Sequence, residues 1–262
     1  MNYGMPYQGS KNTIAPLIVE KLPPAENFVD LFFGGGAVTH AAMLSGKYRN
    51  FIANDLRNTP WAWNRCVSGD LKEYERFVSR DEFLASDDPI VKMLWSFGSN
   101  MTTYAFSGDN QVIARMIMGA DAMERKDAFL KTLSIFDRKG TPLYHDYHTV
   151  GSHFNHMKRF YAVGGTGPVE CSSKDYKDVD IPDNSVVYCD PPYEGTAGYG
   201  DCFDHAEFWE WARTREFPVY VSEMNAPDDF TAVFEYRKQG KFNGDSGARK
   251  ERLFLHNRWK DG

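Results

Sequence analysis

The 262-residue sequence has few cysteines, no long apolar run and no excess of positive charge, and each absence excludes a class of protein. Its four cysteines are scattered and form no CxxC pair, which is typical of free thiols in a reducing compartment rather than of a disulfide framework. No apolar run reaches the roughly 18 residues that a membrane span needs, and the N-terminal residues lack the apolar segment of a signal peptide. We therefore expect a cytoplasmic protein, in a bacterium or a phage-infected cell, that does not span a membrane.

The net charge of −6 disfavours a protein that binds nucleic acid through bulk positive charge. The charge is nevertheless unevenly distributed along the chain. Residues 170–235 carry a net charge of −12, residues 236–262 carry +5, and the first 169 residues carry +1. A nucleic-acid partner would therefore be held by local basic patches, with an affinity that depends strongly on salt.

Two short apolar segments on either side of a glycine turn predict a βαβ unit near the start of the chain. Residues 27–33 form an apolar strand that ends at the glycines of positions 34–36, residues 37–46 predict a helix, and residues 50–55 predict a second strand. A strand, a helix and a strand in this order imply a parallel sheet. Later elements are predicted as strands at 185–189 and 217–224, a helix with an apolar aromatic stripe at 205–215, and an antiparallel pair at 231–237 and 251–257.

The middle of the sequence differs in character, with helical segments separated by polar loops. We predict one α/β domain built from residues 1–59 and 166–262, interrupted by a mainly helical insertion at residues 60–165. Zinc binding and a polar surface are both interpretations of a histidine cluster in this insertion. No cysteine lies nearby, which favours the surface and no metal. The cluster comprises His145, His148, His153 and His156.

The glycine turn and the acidic residue after the next strand predict a site for a nucleoside. Glycines let the backbone approach a ligand closely, and a helix that begins there adds a partial positive charge. Asp55, at the end of the second strand, can accept hydrogen bonds from both hydroxyls of a ribose, and Asp30 lies at the end of the first strand. NAD and S-adenosylmethionine both contain ribose, so this unit does not choose between them, and a purely structural turn is a third interpretation.

The segment Asp190-Pro191-Pro192-Tyr193 directly follows a buried strand, at the edge of the sheet where ligands of open α/β sheets bind. The prolines fix the backbone and remove N–H donors, which leaves a carboxylate, bare carbonyls and a phenol ring close together. The Asp190 carboxylate and the Pro191 carbonyl can each accept one N–H of an exocyclic amine, and Tyr193 can stack on the base. A base in a duplex must flip out to reach such a pocket.

Four motifs, in order along the chain, resemble those of the Dam-like (D12 class) DNA adenine N6-methyltransferases. Tyr7-Gln8-Gly9-Ser10-Lys11 resembles the N-terminal motif of that family, and residues 28–38 (FVDLFFGGGAV) resemble its glycine motif. Asn54-Asp55 and the segment from Asp190 to Tyr193 resemble the two acidic motifs that follow. The resemblance covers most of the chain and implies a Rossmann-like methyltransferase sheet with helices on both faces.

The resemblance also implies roles for individual residues. S-adenosylmethionine would be the cofactor, and double-stranded DNA would be the substrate. Transfer would go in line from the cofactor to N6 of a flipped adenine, with no metal and no covalent enzyme intermediate. Asp190, Pro191, Pro192 and Tyr193 would hold the target base. The cofactor would be contacted by Tyr7, Lys11, Asp30, Phe33, Gly34, Asp55 and Asp190.

The resemblance implies that the insertion at residues 60–165 is the target-recognition region, because it stands where the family keeps that domain, but it does not align with the recognition region of Dam itself. The segment Trp95 to Asn100 is closer to variants carried by phages and mobile elements, so a GATC target is not implied, and a link to restriction-modification remains open. Asp175 weakly matches an acidic residue that the family places near the cofactor adenine, and a solvated loop residue is the equal alternative. Candidate DNA contacts are Lys158, Arg159, Tyr199, Arg249 and Lys250.

Three other functions are also compatible with parts of this sequence. An NAD-dependent oxidoreductase would account for the glycine turn and Asp55 but would give Asp190 to Tyr193 no role. A catalytically silent DNA-binding relative would keep the fold without turnover. A methyltransferase acting on RNA or another amine would use the same motif, since that motif addresses an amino group on a planar ring.

Overall fold

The computed structural model describes residues 2–106, 142–194, 203–238 and 249–260. At residues 142–150, 238 and 249 it describes the backbone only. The chain divides into two compact units. The first, here called the sheet unit, comprises Met1–Tyr3, Lys11–Pro60 and Pro168–Gly262, and the second, the helical unit, comprises Gly4–Ser10 and Trp61–Gly167. A role of the helical unit in target recognition stays a prediction.

The sheet unit is built on a seven-stranded sheet. Its strands are β1 (Asn27–Asp30), β2 (Asn50–Asn54), β3 (Glu170–Ser172), β4 (Ser185–Cys189), β5 (Val219–Glu223), β6 (Phe230–Lys238) and β7 (Arg249–His256), in the order β3-β2-β1-β4-β5-β7-β6. The first five strands are mutually parallel, whereas β7 runs antiparallel to both β5 and β6. The predicted parallel sheet with a terminal antiparallel pair is therefore confirmed.

Alternate residues of the strands face two separate hydrophobic cores, as expected for a sheet covered on both sides. Phe28 and Tyr188 pack with α1 (Ala15–Lys21) and α2 (Ala37–Ser45) on one face. Their chain neighbours Val29 and Val187 pack on the other face with the aromatic stripe of α7 (His205–Thr214). The predicted fold class, a Rossmann-like sheet with helices on both faces, is confirmed, and so is the core role of Phe208, Trp209 and Trp211.

The helical unit contains the described helices α4 (Arg80–Ala85), α5 (Pro89–Trp95) and α6 (Pro142–Val163), and α3 (Thr59–Ser68) leads into it from the sheet unit. Ser79 caps α4 by accepting a hydrogen bond from the Glu82 N–H at 3.2 Å. Large aromatic side chains form its core: Trp63, Phe83, Trp95, Phe106 and Phe160. Among the described helices of the protein, none is long and apolar enough to cross a membrane.

His153 and His156 have structural contacts within the helical unit, whereas the side chains of His145 and His148 lie outside the described part of the chain. Nδ1 of the buried His153 lies 3.2 Å from the Leu94 carbonyl oxygen, and Nδ1 of His156 lies 3.3 Å from the Ser99 hydroxyl. Burial, with a smaller contribution from the Arg159 charge, lowers the pKa of His156 to about 4, so this imidazole is neutral at pH 7. The side chains whose placement is described include no group of three metal-ligating residues.

Candidate functional site

Four carboxyl groups stand where four neighbouring parallel strands end. Asp30 is the last residue of β1 and Glu223 the last of β5, while Asp55 directly follows β2 and Asp190 directly follows β4. Because parallel strands end at the same edge of a sheet, these side chains are brought together there, and we call this the acidic edge. Asp30, Asp55 and Asp190 were predicted as site residues, but Glu223 was not.

A buried lysine neutralises part of this charge. Lys11 is 8% exposed, and its Nζ lies 2.8 Å from Oδ1 of Asp190. The lysine is held in a turn, since its carbonyl accepts hydrogen bonds from the N–H groups of Ile14 and Ala15, both at 2.9 Å. Burial raises the pKa of Asp190, and the Lys11 charge opposes that rise. Lys11 therefore offsets part of the cost of burying the Asp190 carboxylate.

Tyr193 is fixed beside this pair by a residue that sequence reasoning missed. Its hydroxyl donates a hydrogen bond to Oε2 of Glu251 at 2.7 Å, and Nζ of Lys11 lies 4.6 Å from the centre of its ring. Glu251 is on β7 and also approaches Nζ of Lys11, at 3.7 Å. No local pattern marks Glu251, because its position depends on β7 pairing beside β5.

Glu223 is the second missed residue. It is 4% exposed, its Oε1 accepts from the Met224 N–H at 2.7 Å, and its Oε2 accepts from the Glu194 N–H at 3.4 Å. The second bond joins the end of β5 to the segment that follows Tyr193. Burial, helped by the negative charge of Asp190, raises the pKa of Glu223 to about 7. An acidic residue inside the otherwise apolar strand of residues 217–224 was the available sequence indication.

The glycine turn lies beside Asp55. The Gly34 N–H donates to Oδ2 of Asp55 at 2.8 Å, and the Arg57 N–H donates to Oδ1 at 2.8 Å. Gly34 and Gly36 have φ values of +51° and +67°, which only glycine adopts at low cost. A Cβ at Gly36 would lie 2.8 Å from Cε2 of Phe33, so the Phe33 ring packs tightly over the turn.

Asp30 is the most buried carboxylate at the acidic edge, with 2% exposure. Its Oδ2 accepts a hydrogen bond from the Thr39 hydroxyl at 2.8 Å, whereas Oδ1 has no partner of normal hydrogen-bond geometry among the described residues. Burial, together with the charges of Asp190 and Asp55, raises the pKa of Asp30 to about 7. Buried carboxylate oxygens normally accept a hydrogen bond, so Oδ1 of Asp30 is suited to accept one from a bound ligand.

These features fit a cationic nucleoside. Carboxylates at the ends of adjacent strands can accept from ribose hydroxyls and an ammonium group, and glycines in the neighbouring turn let the backbone approach a ligand closely. S-adenosylmethionine carries both groups and a sulfonium charge, so the residues present suit it. Asp30, Gly34 and Asp55 would hold it, with Lys11 beside Asp190.

The remaining predicted residues are located as follows. Tyr7 belongs to the helical unit, where its carbonyl accepts from the Ser10 N–H at 3.2 Å. Asp175 caps a short turn by accepting from the Lys177 N–H at 3.0 Å. Pro191 is buried and Pro192 half-buried in the turn after β4.

The candidate DNA contacts are distributed over both units, and their role stays a prediction. Lys158 is exposed on α6 and Lys250 on β7. Arg159 is half-buried and donates to the Gly4 and Met5 carbonyls at 3.2 and 2.8 Å, so it holds the first segment of the helical unit in place. Tyr199 lies outside the described residues, and only the backbone of Arg249 is described.

The described sheet, with helices on both faces and carboxyl groups at the ends of its parallel strands, has the Rossmann-like fold class predicted from the sequence. Residues 7–85 match the family model for the D12 class N6 adenine-specific DNA methyltransferases, a stretch that includes Lys11, the glycine turn and Asp55. This match supports methyltransferase activity. It ends before β4, so it does not reach Asp190.

Solved structures similar to this chain include two of the rRNA methyltransferase aviRa from Streptomyces viridochromogenes, determined at 1.5 and 2.4 Å. Their sequence identities are 14% and 15% and their TM-scores 0.34 and 0.35, with 91% of this chain and 80% of the other covered in each case. No curated protein gives a significant match to the chain.

Proposed function

We propose that this protein transfers a methyl group from S-adenosylmethionine to the N6 amino group of adenine in double-stranded DNA. The observation that carries the proposal is the arrangement of Asp190, Lys11 and Tyr193 at the acidic edge, where Nζ of Lys11 lies 2.8 Å from the Asp190 carboxylate and 4.6 Å from the centre of the Tyr193 ring. The family match over residues 7–85 supports adenine in DNA as the target.

In this proposal the Asp190 turn orients the target amine. The Asp190 carboxylate and the Pro191 carbonyl each accept one N6 hydrogen, which turns the nitrogen lone pair out of conjugation with the ring. Tyr193 stacks on the base, which has to leave the duplex to reach it. These groups contribute positioning and electrostatic stabilisation, the two effects that the reaction needs most.

The cofactor supplies a methyl group on a positively charged sulfur. When bound, it would give this methyl group to N6 and leave as S-adenosylhomocysteine, and one N6 proton would then be lost. Asp190 is placed to receive that proton, because it already accepts the N–H and because burial raises its pKa. Lys11, at 2.8 Å, compensates the carboxylate charge until then.

The test is methyl transfer from labelled S-adenosylmethionine to a DNA of diverse sequence, with a matched RNA in parallel, followed by mapping of N6-methyladenine. The proposal predicts label in DNA, at N6 of adenine, within a short common sequence. Label confined to RNA, or no transfer to either, would overturn it.

A further inference from the structure

We propose that Glu251 is a positioning residue for methyl transfer, an inference that rests on the proposed function. Its carboxylate holds the Tyr193 ring through the ring hydroxyl, and it shares Lys11 with Asp190. Glu251 comes from β7, far from all four of the sequence motifs.

One oxygen atom makes both contacts. Oε2 of Glu251 accepts from the Tyr193 hydroxyl at 2.7 Å and lies 3.7 Å from Nζ of Lys11. A hydrogen bond to an ionised acceptor is stronger than one between neutral groups. The side chain of Glu251 is 25% exposed, so solvent weakens this bond less than it would on an open surface.

The backbone around Glu251 is fixed by strands on both sides. In the β6–β7 pair, Glu251 stands opposite Tyr236, and the next residue of β7, Arg252, stands opposite Glu223 of β5. Arg252 also donates to the Met224 carbonyl at 3.0 Å. The carboxylate of Glu251 is therefore carried by a strand that is paired in register at the acidic edge.

The first consequence concerns the Tyr193 ring. A ring held at both ends, by its backbone in the proline turn and by its hydroxyl on Glu251, has little freedom to rotate. A target base stacked on it is therefore held in one orientation relative to Asp190. Small misplacements of reacting groups are costly, and a shift of about 1 Å lowers rates by roughly 100-fold.

The second consequence concerns Asp190. Nζ of Lys11 lies between Asp190 at 2.8 Å and Glu251 at 3.7 Å, so the two carboxylates divide its charge. If Glu251 is neutralised, the full charge of Lys11 acts on Asp190, and the pKa of Asp190 falls. That substitution leaves unchanged the charges of the other groups that act on Asp190 or lie beside it: Asp30, Tyr188, Cys189, Tyr193 and Glu223.

The experiment compares Glu251→Gln, Tyr193→Phe and the double variant, with Glu235→Gln as control. Glu235 is a carboxylate of the same hairpin, bound to Arg252 and Arg237 rather than to the site. We expect Glu251→Gln and Tyr193→Phe each to lower kcat by roughly 10- to 100-fold. The double variant should be no slower than the slower single variant, while Glu235→Gln stays within about twofold of wild type.

Two further readouts separate positioning from general damage. The acidic limb of the pH profile of kcat should move to lower pH in Glu251→Gln and should not move in Glu235→Gln. Binding of S-adenosylmethionine, measured by calorimetry, should change by less than about threefold in both variants. A wild-type kcat in Glu251→Gln, or fully multiplicative losses in the double variant, would overturn the proposal.

A measurement without turnover distinguishes this inference from the proposed function. In protein labelled with ¹³C at tyrosine Cζ, the Tyr193 resonance is identified by its loss in Tyr193→Phe. It should shift in Glu251→Gln and stay in place in Glu235→Gln. An unchanged resonance would overturn the role of Glu251, whereas a shifted resonance in a protein that methylates no DNA would overturn the proposed function alone.

Discussion

The acidic edge and the helical unit differ in how fully their buried polar groups are paired. At the acidic edge, Asp30 and Glu223 are buried with pKa values raised to about 7, and carboxylates outnumber the lysine that faces them. In the helical unit, Asp88 caps α5 through two N–H groups, Arg159 binds backbone carbonyls, and His156 is neutral. Burying a charge that is not fully paired lowers the stability of a protein. Such groups are concentrated at the acidic edge, and shifted pKa values of this kind are common at functional sites.

The largest expected effect is on catalysis at this edge. Asp190→Ala should lower methyl transfer by about 10³-fold or more, because it removes both the acceptor for N6 and the partner of Lys11. Single-turnover transfer and thermal unfolding, measured on the same preparation, check this. Transfer within tenfold of wild type in a folded variant would contradict the role given to Asp190.

The next largest effect is on the way the stability of the folded protein changes with pH. The pKa of Glu223 is raised from 4.5 to about 7 by folding, so the folded state binds this proton more tightly than the unfolded state. Its contribution to stability is therefore present below pH 4.5, falls between pH 4.5 and 7, and is fully lost above pH 7. Glu223→Gln should remove this loss and stabilise the protein above pH 7 by about 2–3 kcal/mol.

Urea unfolding at several pH values between 4 and 8 measures the change. The difference between Glu223→Gln and wild type should grow as the pH rises through this window. A difference independent of pH would show that the Glu223 carboxyl is not desolvated as the structure indicates.

A pair of glycines tests the packing of the turn. Gly36 and Gly46 have nearly the same φ, +67° and +68°, but only at Gly36 would a Cβ meet the Phe33 ring. Gly46→Ala should cost about 1 kcal/mol for the left-handed backbone, and Gly36→Ala about 1–3 kcal/mol more. Denaturant unfolding of both variants gives the difference, and equal costs would mean that the Phe33 ring moves aside freely.

The smallest effect is expected from the loss of a helix cap in the helical unit, and it tests the difference between that unit and the acidic edge. Ser79→Ala removes the cap of α4, in which the Ser79 hydroxyl oxygen accepts from the Glu82 N–H at 3.2 Å. The loss should destabilise the protein by about 1 kcal/mol while leaving kcat within about twofold. Thermal unfolding and initial rates check both parts, and a loss of kcat as large as that of an edge variant would erase the distinction between the two regions.

Elements with local patterns were predictable from the sequence, and elements that depend on distant pairing were not. The βαβ unit and α7 follow from apolar periodicity, and the edge position of Asp190 follows from the strand before it. The first strand ends at Asp30 rather than at residue 33, because residues 31–33 enter the glycine turn. The three-residue strand β3 was not predicted, since so short a segment has no period to detect.

Glu223 and Glu251 show the same limit within the site. Glu251 contacts Tyr193 across 58 residues of sequence, and that contact exists only because β7 pairs between β5 and β6. The antiparallel pair of β6 and β7 was predicted, but its neighbour in the sheet was not. A motif locates the residues that do the chemistry, while the residues that hold them are set by topology.

The position of β7 has a consequence for synthesis on the ribosome. It follows every other strand of the sheet in the chain, yet it stands between β5 and β6. At about 5–20 residues per second, the Asp190 turn leaves the ribosome roughly 3–12 s before Glu251 does. During that interval β6 lacks its pairing partner in the sheet, and Tyr193 lacks the Glu251 carboxylate that accepts from its hydroxyl. A nascent chain would therefore hold all four sequence motifs before its site could close.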